Sequence, residues 1–597
     1  MADVSIWDFA GQYVFYATHQ VFLSKRAVYL LVTDISKHVE DTVKDDDCFL
    51  DSKGVKHWKI SEFVDFWLNS IHEFCGSSDD GGPPVLLVGT FADKIKQESK
   101  QETIDDFFYT LRSSLVDKVT SNHLIEEDFA IDNTVKDGNI DLLKQQIVKT
   151  ASTQSYWGEL IPAKWITLEN SISSLKNKGS KVILHKDMLR RLNNTLPVPI
   201  ETDDELELFL RFHHESGTIL YYSDDKLSDT IVLDPQWLID AFKSLITAKM
   251  FCCRKPNIFK KWIQFDQTAI LTRELIDAIW EQKENSAFYE LKDLLLNYLE
   301  KLGFIAKPQQ LSDVTDETDY YFAPCVLKHP PPDDLLIQQD NTDNRSTSKL
   351  CLTTELRFLP TAVFNKLLAA CINKWPLSKS NSKHLIFCGC AVFDLEGNHT
   401  LYLYFFDHVI QIWITKFSTQ NKEPSKRLCS QVYAFVLDSL SNSLHLSDHL
   451  KVFFKCRSSQ HNSIEDMFSE GELSKDKEIV CNCRTKKHVL QTNELTSYWH
   501  CTEEDVPEEM LTDKDIHRIA QNIGKEYETL ALELGLSQAE MDHINLDSNT
   551  AVDRIRRMLL RWRDKMKGEA TLYTLTEAMK AVGIDSSTVL ESAKSPL

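Results

Sequence analysis

The 597-residue sequence predicts a multidomain chain made of a partial α/β domain, an α+β middle region and an all-α bundle. Three observations predict it. The chain is too long for one hydrophobic core, because single cores stop growing at roughly 250 to 300 residues. Over residues 1–150, short β-branched runs alternate with helical stretches, the pattern of strand–helix units around a largely parallel sheet. Over residues 511–597, apolar residues recur at helical spacing in successive segments.

In the first region the expected strands are residues 4–7, 27–33, 84–89 and 129–133. Ile60, Phe63, Val64, Trp67, Leu68 and Ile71 recur at helical spacing and predict a helix lying on one face of the sheet. The middle region predicts a helix at 291–302 and a hairpin of 218–222 with 230–233. Pro330-Pro331-Pro332 and the polar stretch 338–349 then favour an extended, exposed connection. A second mixed unit follows, with strands at 383–393, 401–406 and 408–414, a helix at 428–440 and a polar loop at 458–477.

In the bundle, Ile516, Ile519, Ala520 and Ile523 mark the first helix, and Tyr527, Leu530, Ala531 and Leu534 the second. Gly535 closes that helix, and Ser537 to Glu540 has the spacing of a capping box, as do Thr550 to Asp553. Ile555, Leu559 and Trp562 mark a further helix, and Leu572, Leu575, Met579 and Val582 the last. Periodicity alone leaves a generic bundle open.

Composition narrows the function classes. Lys plus Arg is 67 against Asp plus Glu at 89, a net charge of −22 that repels nucleic-acid phosphates and anionic membranes. No nucleic-acid partner is expected. The apolar runs are too short to span a bilayer, the start has no signal-peptide pattern, and 14 scattered cysteines read as reduced thiols; the expectation is a cytoplasmic protein without a transmembrane segment. Cys456, Cys481, Cys483, His488, His500 and Cys501 supply zinc-ligand types, but Cys-x-Cys is not the usual knuckle spacing, so ordinary thiols and no metal are expected.

The order Leu534-Gly535, Ile544, Met558 to Trp562, Ala570-Thr571 and Leu575 resembles the death-domain family. That resemblance implies a six-helix bundle and partnership with other death-domain proteins. Acidic Glu540 and Asp542 precede the basic run Arg554, Arg556, Arg557, Arg561, Arg563, Lys565 and Lys567, so one end of the bundle is expected to be acidic and another basic. Arg554, Arg557, Arg561, Glu540 and Asp542 are the expected interaction residues, since such asymmetry docks one copy's basic face on an acidic neighbour. A merely solvated helix face is the alternative.

Asp8-Phe9-Ala10-Gly11-Gln12, with Trp7 before it and Thr18 to Phe22 after it, resembles the second switch of the Ras-like domain of Roco proteins. The resemblance implies that Asp8 holds Mg²⁺ through water, that the Gly11 amide senses the γ-phosphate and that Gln12 orients water. Leu86 to Lys94 sits where such domains read guanine, with Thr90 in place of the common Asn, Phe91 in place of Lys, and Asp93 as the base-pairing carboxylate. No Gly-x-x-x-x-Gly-Lys-Ser/Thr run occurs in the sequence, so the backbone cradle and Lys for the β- and γ-phosphates are missing from it. The expectation is a truncated start or a degenerate GTPase domain. GTP or GDP with Mg²⁺ is expected only in a longer parent, and no catalysis is expected of this chain unless the missing N-terminus is restored.

Residues 162–169, 210–222, 232–239 and Tyr320 to Pro324 resemble the COR domain that follows the GTPase in Roco proteins. The resemblance implies a homodimer formed through this region. The expected domains are therefore a Roc (Ras-like GTPase) remnant at 1–150, the first half of COR at 155–330, its second half with a Cys-containing extension at 345–500, and a death domain at 511–597. The arrangement resembles the C-terminal half of death-associated protein kinases, and the expected function is that of a signal-transduction scaffold. An active Roco GTPase is the alternative, and a purely structural dimer platform a third reading.

Overall fold

Parallel strands need long crossovers, and the first region supplies them as helices. In the computed structural model, strands β1 (Tyr29–Asp34), β2 (Val85–Thr90) and β3 (Phe129–Ala130) form a parallel sheet in that order, with Val32 opposite Val88 and Val88 opposite Phe129. The described residues are 6–9, 23–43, 50–51, 54–55, 58–76, 82–177, 183–223, 226–247, 255–282, 286–309, 320–332, 335, 346–381, 383–417, 423–441, 450–483, 488–500, 511–521, 523, 527–547, 550–566, 570 and 572–582. They group into two compact units, one of residues 1–420, 438–472 and 481–488, the other of 421–437, 473–480 and 489–597.

In the first unit, alternation along β2 divides the sheet between two cores. Val85 and Leu87 face α1 (Ile60–Cys75) and α2 (Lys100–Ser113) through Val64, Leu68, Phe107 and Leu111. Leu86 and Val88 face Leu143 of α3 (Gly138–Ser152). On β1, Leu30 and Val32 are 39% and 62% exposed. The strand expected at 129–133 stops at Ala130, because Asp132 turns the chain by accepting from the Thr134 amide at 2.9 Å and its hydroxyl at 2.6 Å. Of the strand expected at 4–7, residues 4 and 5 lie outside the described residues, and Ile6 and Trp7 are in no strand.

The next layer packs α4 (Ala163–Asn177), α5 (Lys186–Asn194) and α6 (Asp203–Glu215) on an antiparallel sheet. That sheet holds β4 (Ile183–His185), β5 (Leu220–Tyr221) and β6 (Thr230–Val232), with β6 between the other two. The expected hairpin is present, with Leu220 opposite Val232. A second core, built on Phe242, Trp262, Trp280 and Tyr298, joins α7 (Pro235–Leu245), α8 (Pro256–Thr268), β7 (Ile270–Thr272), α9 (Arg273–Trp280), α10 (Lys292–Lys301) and β8 (Tyr320–Phe322). β7 and β8 pair antiparallel.

A seven-stranded antiparallel sheet completes this unit. Its strands are β9 (Lys349–Thr354), β10 (Ile386–Phe387), β11 (Cys390–Leu395), β12 (His399–Phe406), β13 (Val409–Lys416), β14 (Leu450–Lys455) and β15 (Phe468–Ser469), in the order β10-β11-β12-β13-β9-β14-β15. Helix α11 (Thr361–Lys374) follows β9 and buries Phe364, Leu367 and Leu368.

Three sequence expectations are corrected here. Lys349 is not part of an exposed connection: it is buried at the start of β9, and its Nζ donates to the Ser459 carbonyl; residues 338–345 lie outside the described residues. The strand expected at 383–393 is broken before β11 by a turn at Gly389, whose φ is +69°. The loop expected at 458–477 contains β15.

The second unit contains most of α12 (Lys426–Ser441) and the C-terminal bundle. A short two-stranded sheet, β16 (Glu478–Cys481) with β17 (His488–Gln491), precedes the bundle in sequence. Thr512 caps α13 (Asp513–Ala520) in a reciprocal box with Asp515. Then come α14 (Tyr527–Glu533), α15 (Gln538–Asp547), α16 (Ala551–Met566) and α17 (Leu572–Ala581). Ile516, Leu530, Leu559, Trp562 and Leu575 share one core. These are five helices among the described residues against six expected; residues 583–597 lie outside them.

Candidate functional site

In parallel α/β sheets, ligands bind beyond the carboxyl ends of the strands. At that edge Thr90 ends β2, and its hydroxyl donates to the Thr33 carbonyl at 3.1 Å, tying β2 to β1. Phe91 follows with φ 63°, in the left-handed region, and turns the chain into a short helical turn, Ala92–Lys94, on which Asp93 is exposed. The Lys94 ammonium lies 3.7 Å from the centroid of the Phe91 ring, a cation–π contact. Asp34 ends β1; burial raises its carboxyl, but the Ser36 hydroxyl and amide, at 2.6 and 3.0 Å, together with Lys37 hold it below its ordinary value. Asp132 is likewise held low by the Thr134 hydroxyl and amide.

The structure thus brings Thr90 and Asp93 to the end of one strand. Asp8 is exposed, and no hydrogen bond or ion pair joins it to Thr90 or Asp93 among the described residues. Gly11 and Gln12 lie outside the described residues. Asp34 was missed as a member of this edge, and Lys94 lay inside the expected run but was given no role. An Asp at a strand end with Ser two residues later is the pattern that marks Asp34, since such side chains bond the backbone two residues on.

In the bundle, α16 places Trp562 inward and Arg556, Arg557 and Arg561 outward, with side-chain exposures of 44%, 45% and 64%. Arg554 is half-buried on the same helix. Arg557 pairs with Asp553 at 3.1 Å. Glu540 does not stand at a separate acidic end: it meets the basic helix within the bundle, 3.7 Å from Arg561 and 3.2 Å from Lys565. Its carboxylate accepts from the Ser537 amide at 2.8 Å and hydroxyl at 2.9 Å, and these bonds, with Lys565, bring its pKa down to about 2. The Asp542 side chain lies outside the described residues.

Elsewhere, Cys456, Cys481, Cys483 and His488 converge, whereas His500 packs edge-on against the Tyr433 ring at 5.4 Å and Cys501 lies outside the described residues.

Residues 1–93 match the family described as "Ras of Complex, Roc, domain of DAPkinase", residues 162–327 match "C-terminal of Roc, COR-A domain", and residues 513–591 match the death domain. A helical death domain therefore follows Roc and COR elements in one multidomain chain. The chain carries Roc and COR-A segments similar to those of Roco proteins, followed by a segment that matches the death domain.

Similar proteins include the probable serine/threonine-protein kinase roco5 of Dictyostelium discoideum, 28% identical over 304 residues, which cover 50% of this chain and 9% of that protein. The leucine-rich repeat serine/threonine-protein kinase 1 of Caenorhabditis elegans is 23% identical over 333 residues, 51% of this chain and 12% of that one. A solved structure of Methanosarcina barkeri Roco2 RocCORdC bound to GDP is 21% identical, with a TM-score of 0.34, covering 54% of this chain and 79% of that one. The chain spans about a tenth of the length of the first of these curated relatives, between 9% and 12%. Among the described residues no helix is long and apolar enough to cross a membrane.

Proposed function

We propose that this chain is a cytoplasmic signal-transduction scaffold that works through its death domain, with a Roc segment at 1–150 that does not turn over GTP. In this reading COR occupies 155–330 and 345–500 and mediates a homodimer, and the death domain occupies 511–597. The observation that carries it is α16, which buries Trp562 while leaving the Arg557 and Arg561 side chains 45% and 64% exposed. Arg is the side chain best suited to paired recognition of a partner's carboxylates. The internal pair with Glu540, at 3.7 Å, is long enough for a partner to compete for Arg561.

The test measures binding of the full chain to a panel of purified death domains at two salt concentrations. A partner is expected whose affinity falls roughly tenfold or more on Arg557→Glu with Arg561→Glu, and weakens with salt. A partner that binds the charge-reversed chain equally well sinks the reading and favours a structural platform.

The second reading, an active GTPase, is favoured by the exposed Asp93 carboxylate beyond the end of β2. Against it stands Phe91, which occupies the position of the usual Lys and carries Lys94 on its ring. Titration with a fluorescent GDP analogue and Mg²⁺, with ATP as competitor, separates the two. No binding is expected; GDP-selective binding at micromolar or tighter affinity overturns the scaffold reading in favour of a working nucleotide switch.

A further inference from the structure

Cys456 immediately follows β14, Cys481 ends β16, Cys483 lies two residues on, and His488 opens β17. Twenty-odd residues separate the first of these from the rest, yet the three sulfurs and a ring nitrogen of His488 lie within 4.8 Å of one another. The Cys456 Sγ to His488 Nε2 distance is 3.5 Å. One zinc ion, with Zn–S about 2.3 Å and Zn–N about 2.0 Å at tetrahedral angles, sets its ligand atoms roughly 3.5 to 3.8 Å apart. The cluster is therefore the size of a single ion's coordination sphere, too tight to enclose an assembly of several metals and sulfides.

We infer that Cys456, Cys481, Cys483 and His488 form a structural zinc site. Three thiolates and an imidazole are the ligand set that selects zinc among ions without redox chemistry. Cys456 and Cys481 are 2% and 0% exposed, and four protein ligands complete a tetrahedron, leaving no position for a reacting water. On binding, each thiol releases its proton to solvent as its sulfur bonds the ion, and the neutral imidazole binds through Nε2 with its proton on Nδ1. His488 Nε2, 3.5 Å from Cys456 Sγ, is the nitrogen that faces the thiols.

The surroundings hold the ligands in place. The Ser458 amide points at Cys456 Sγ from 3.4 Å, the outer-shell contact a metal-bound thiolate accepts. The turn after Cys456 is pinned by Lys455, whose Nζ donates to the Gln460 and Ser463 carbonyls at 3.0 and 2.5 Å, by Lys349 to the Ser459 carbonyl, and by Gln411 to the His461 carbonyl at 2.7 Å. The Asn482 amide, between two of the ligands, donates to Asp466 at 3.2 Å. A metal here staples the end of β14, inside the seven-stranded sheet, to Cys481, Cys483 and His488. A disulfide explains the grouping less well, because it consumes two thiols and leaves the third and the imidazole without a role.

The test is elemental analysis of the full, tag-free chain after expression with zinc and exhaustive dialysis, followed by replacement of zinc with Co²⁺. About one zinc per chain is expected, and the cobalt form is expected to show thiolate-to-cobalt charge transfer and the intense visible bands of a tetrahedral site with three sulfurs and one nitrogen. Cys481→Ser combined with Cys483→Ser is expected to lower the zinc content roughly tenfold or more, while Cys388→Ser, a half-buried thiol outside the cluster, keeps it. A wild-type chain that carries no zinc and gives no cobalt charge transfer overturns the inference, as does a double variant that retains a full equivalent. Should the double variant fail to fold, the wild-type cobalt spectrum decides alone.

Discussion

Glu73 sits on the buried side of α1 with 8% of its surface exposed. Burial raises its carboxyl from an ordinary 4.5 to about 7; the Thr354 hydroxyl opposes the rise and Glu355 adds to it. Because the folded pKa lies above the unfolded one, the protonated carboxyl favours folding below about pH 4.5, and that contribution is lost as pH rises through about 7. The loss is at most roughly 3 kcal/mol. Glu73→Gln is expected to raise the Tm at pH 8 and leave it nearly unchanged at pH 5; equal shifts at both pH values contradict the buried setting. Trp562, 1% exposed in the bundle core, makes the opposite case: Trp562→Ala is expected to cost about 3 to 5 kcal/mol, read as a lower denaturant midpoint for the bundle transition.

Single residues were legible in the sequence where their role is local. The Ser537 to Glu540 box needs only its own spacing, and it forms with both reciprocal bonds. Gly535, with φ +79°, ends its helix as expected. Lys349 was illegible because a lysine reads as solvent-facing unless the distant carbonyl of Ser459 is known to receive it. The cysteine cluster was legible only in part: its four members were among the six candidate ligands, but the spacing could not show that the fold brings Cys456 to the Cys-x-Cys run and leaves His500 elsewhere.

Helices and hairpins followed the sequence closely, and their ends deviated where a left-handed residue intervened. The strand expected to begin at 408 begins at Val409, because Asp407 and His408, with φ 49° and 63°, form the two-residue turn between β12 and β13. Gly303 closes α10 with φ +76°, and a Cβ there meets Lys366 Cα of α11 at 2.9 Å. Gly303→Ala is therefore expected to destabilise the first unit by about 1 to 3 kcal/mol, visible as a lower Tm; an unchanged Tm contradicts the close helix approach. At β1, the side chains of Leu30 and Val32 face solvent on a strand that is at the edge among the described residues. Val32→Lys is expected to reduce concentration-dependent aggregation without lowering the Tm, measured by light scattering and thermal melts, because charge on an edge strand discourages pairing with another chain.

For the whole molecule, the order of modules was readable because each carries a run that resembles a known domain, Asp8 to Gln12 for Roc, residues 232–239 for COR and Met558 to Trp562 for the death domain, whereas periodicity alone gave only α/β, mixed and helical regions. The separation of charge in the bundle was not readable, since sequence blocks of opposite sign fold back on one another where Glu540 meets Arg561 and Lys565. That fold-back leaves the bundle's outward field weaker than its runs of charge imply. Raising the salt concentration is accordingly expected to weaken a death-domain partner chiefly through Arg556, Arg557 and Arg561.

The seven-stranded sheet places β9, its earliest strand in the sequence, near the middle, with Leu350 opposite Ile412 on one side and Phe454 on the other. During synthesis, a ribosome that has already delivered β9 to β13 leaves one whole edge of Lys349–Thr354 bare until Leu450–Lys455 emerges. A nascent chain halted between those points presents a buried-type strand to any neighbour on the polysome, so shortened products ending near residue 440 should be stickier and shorter-lived than products that extend through Lys455.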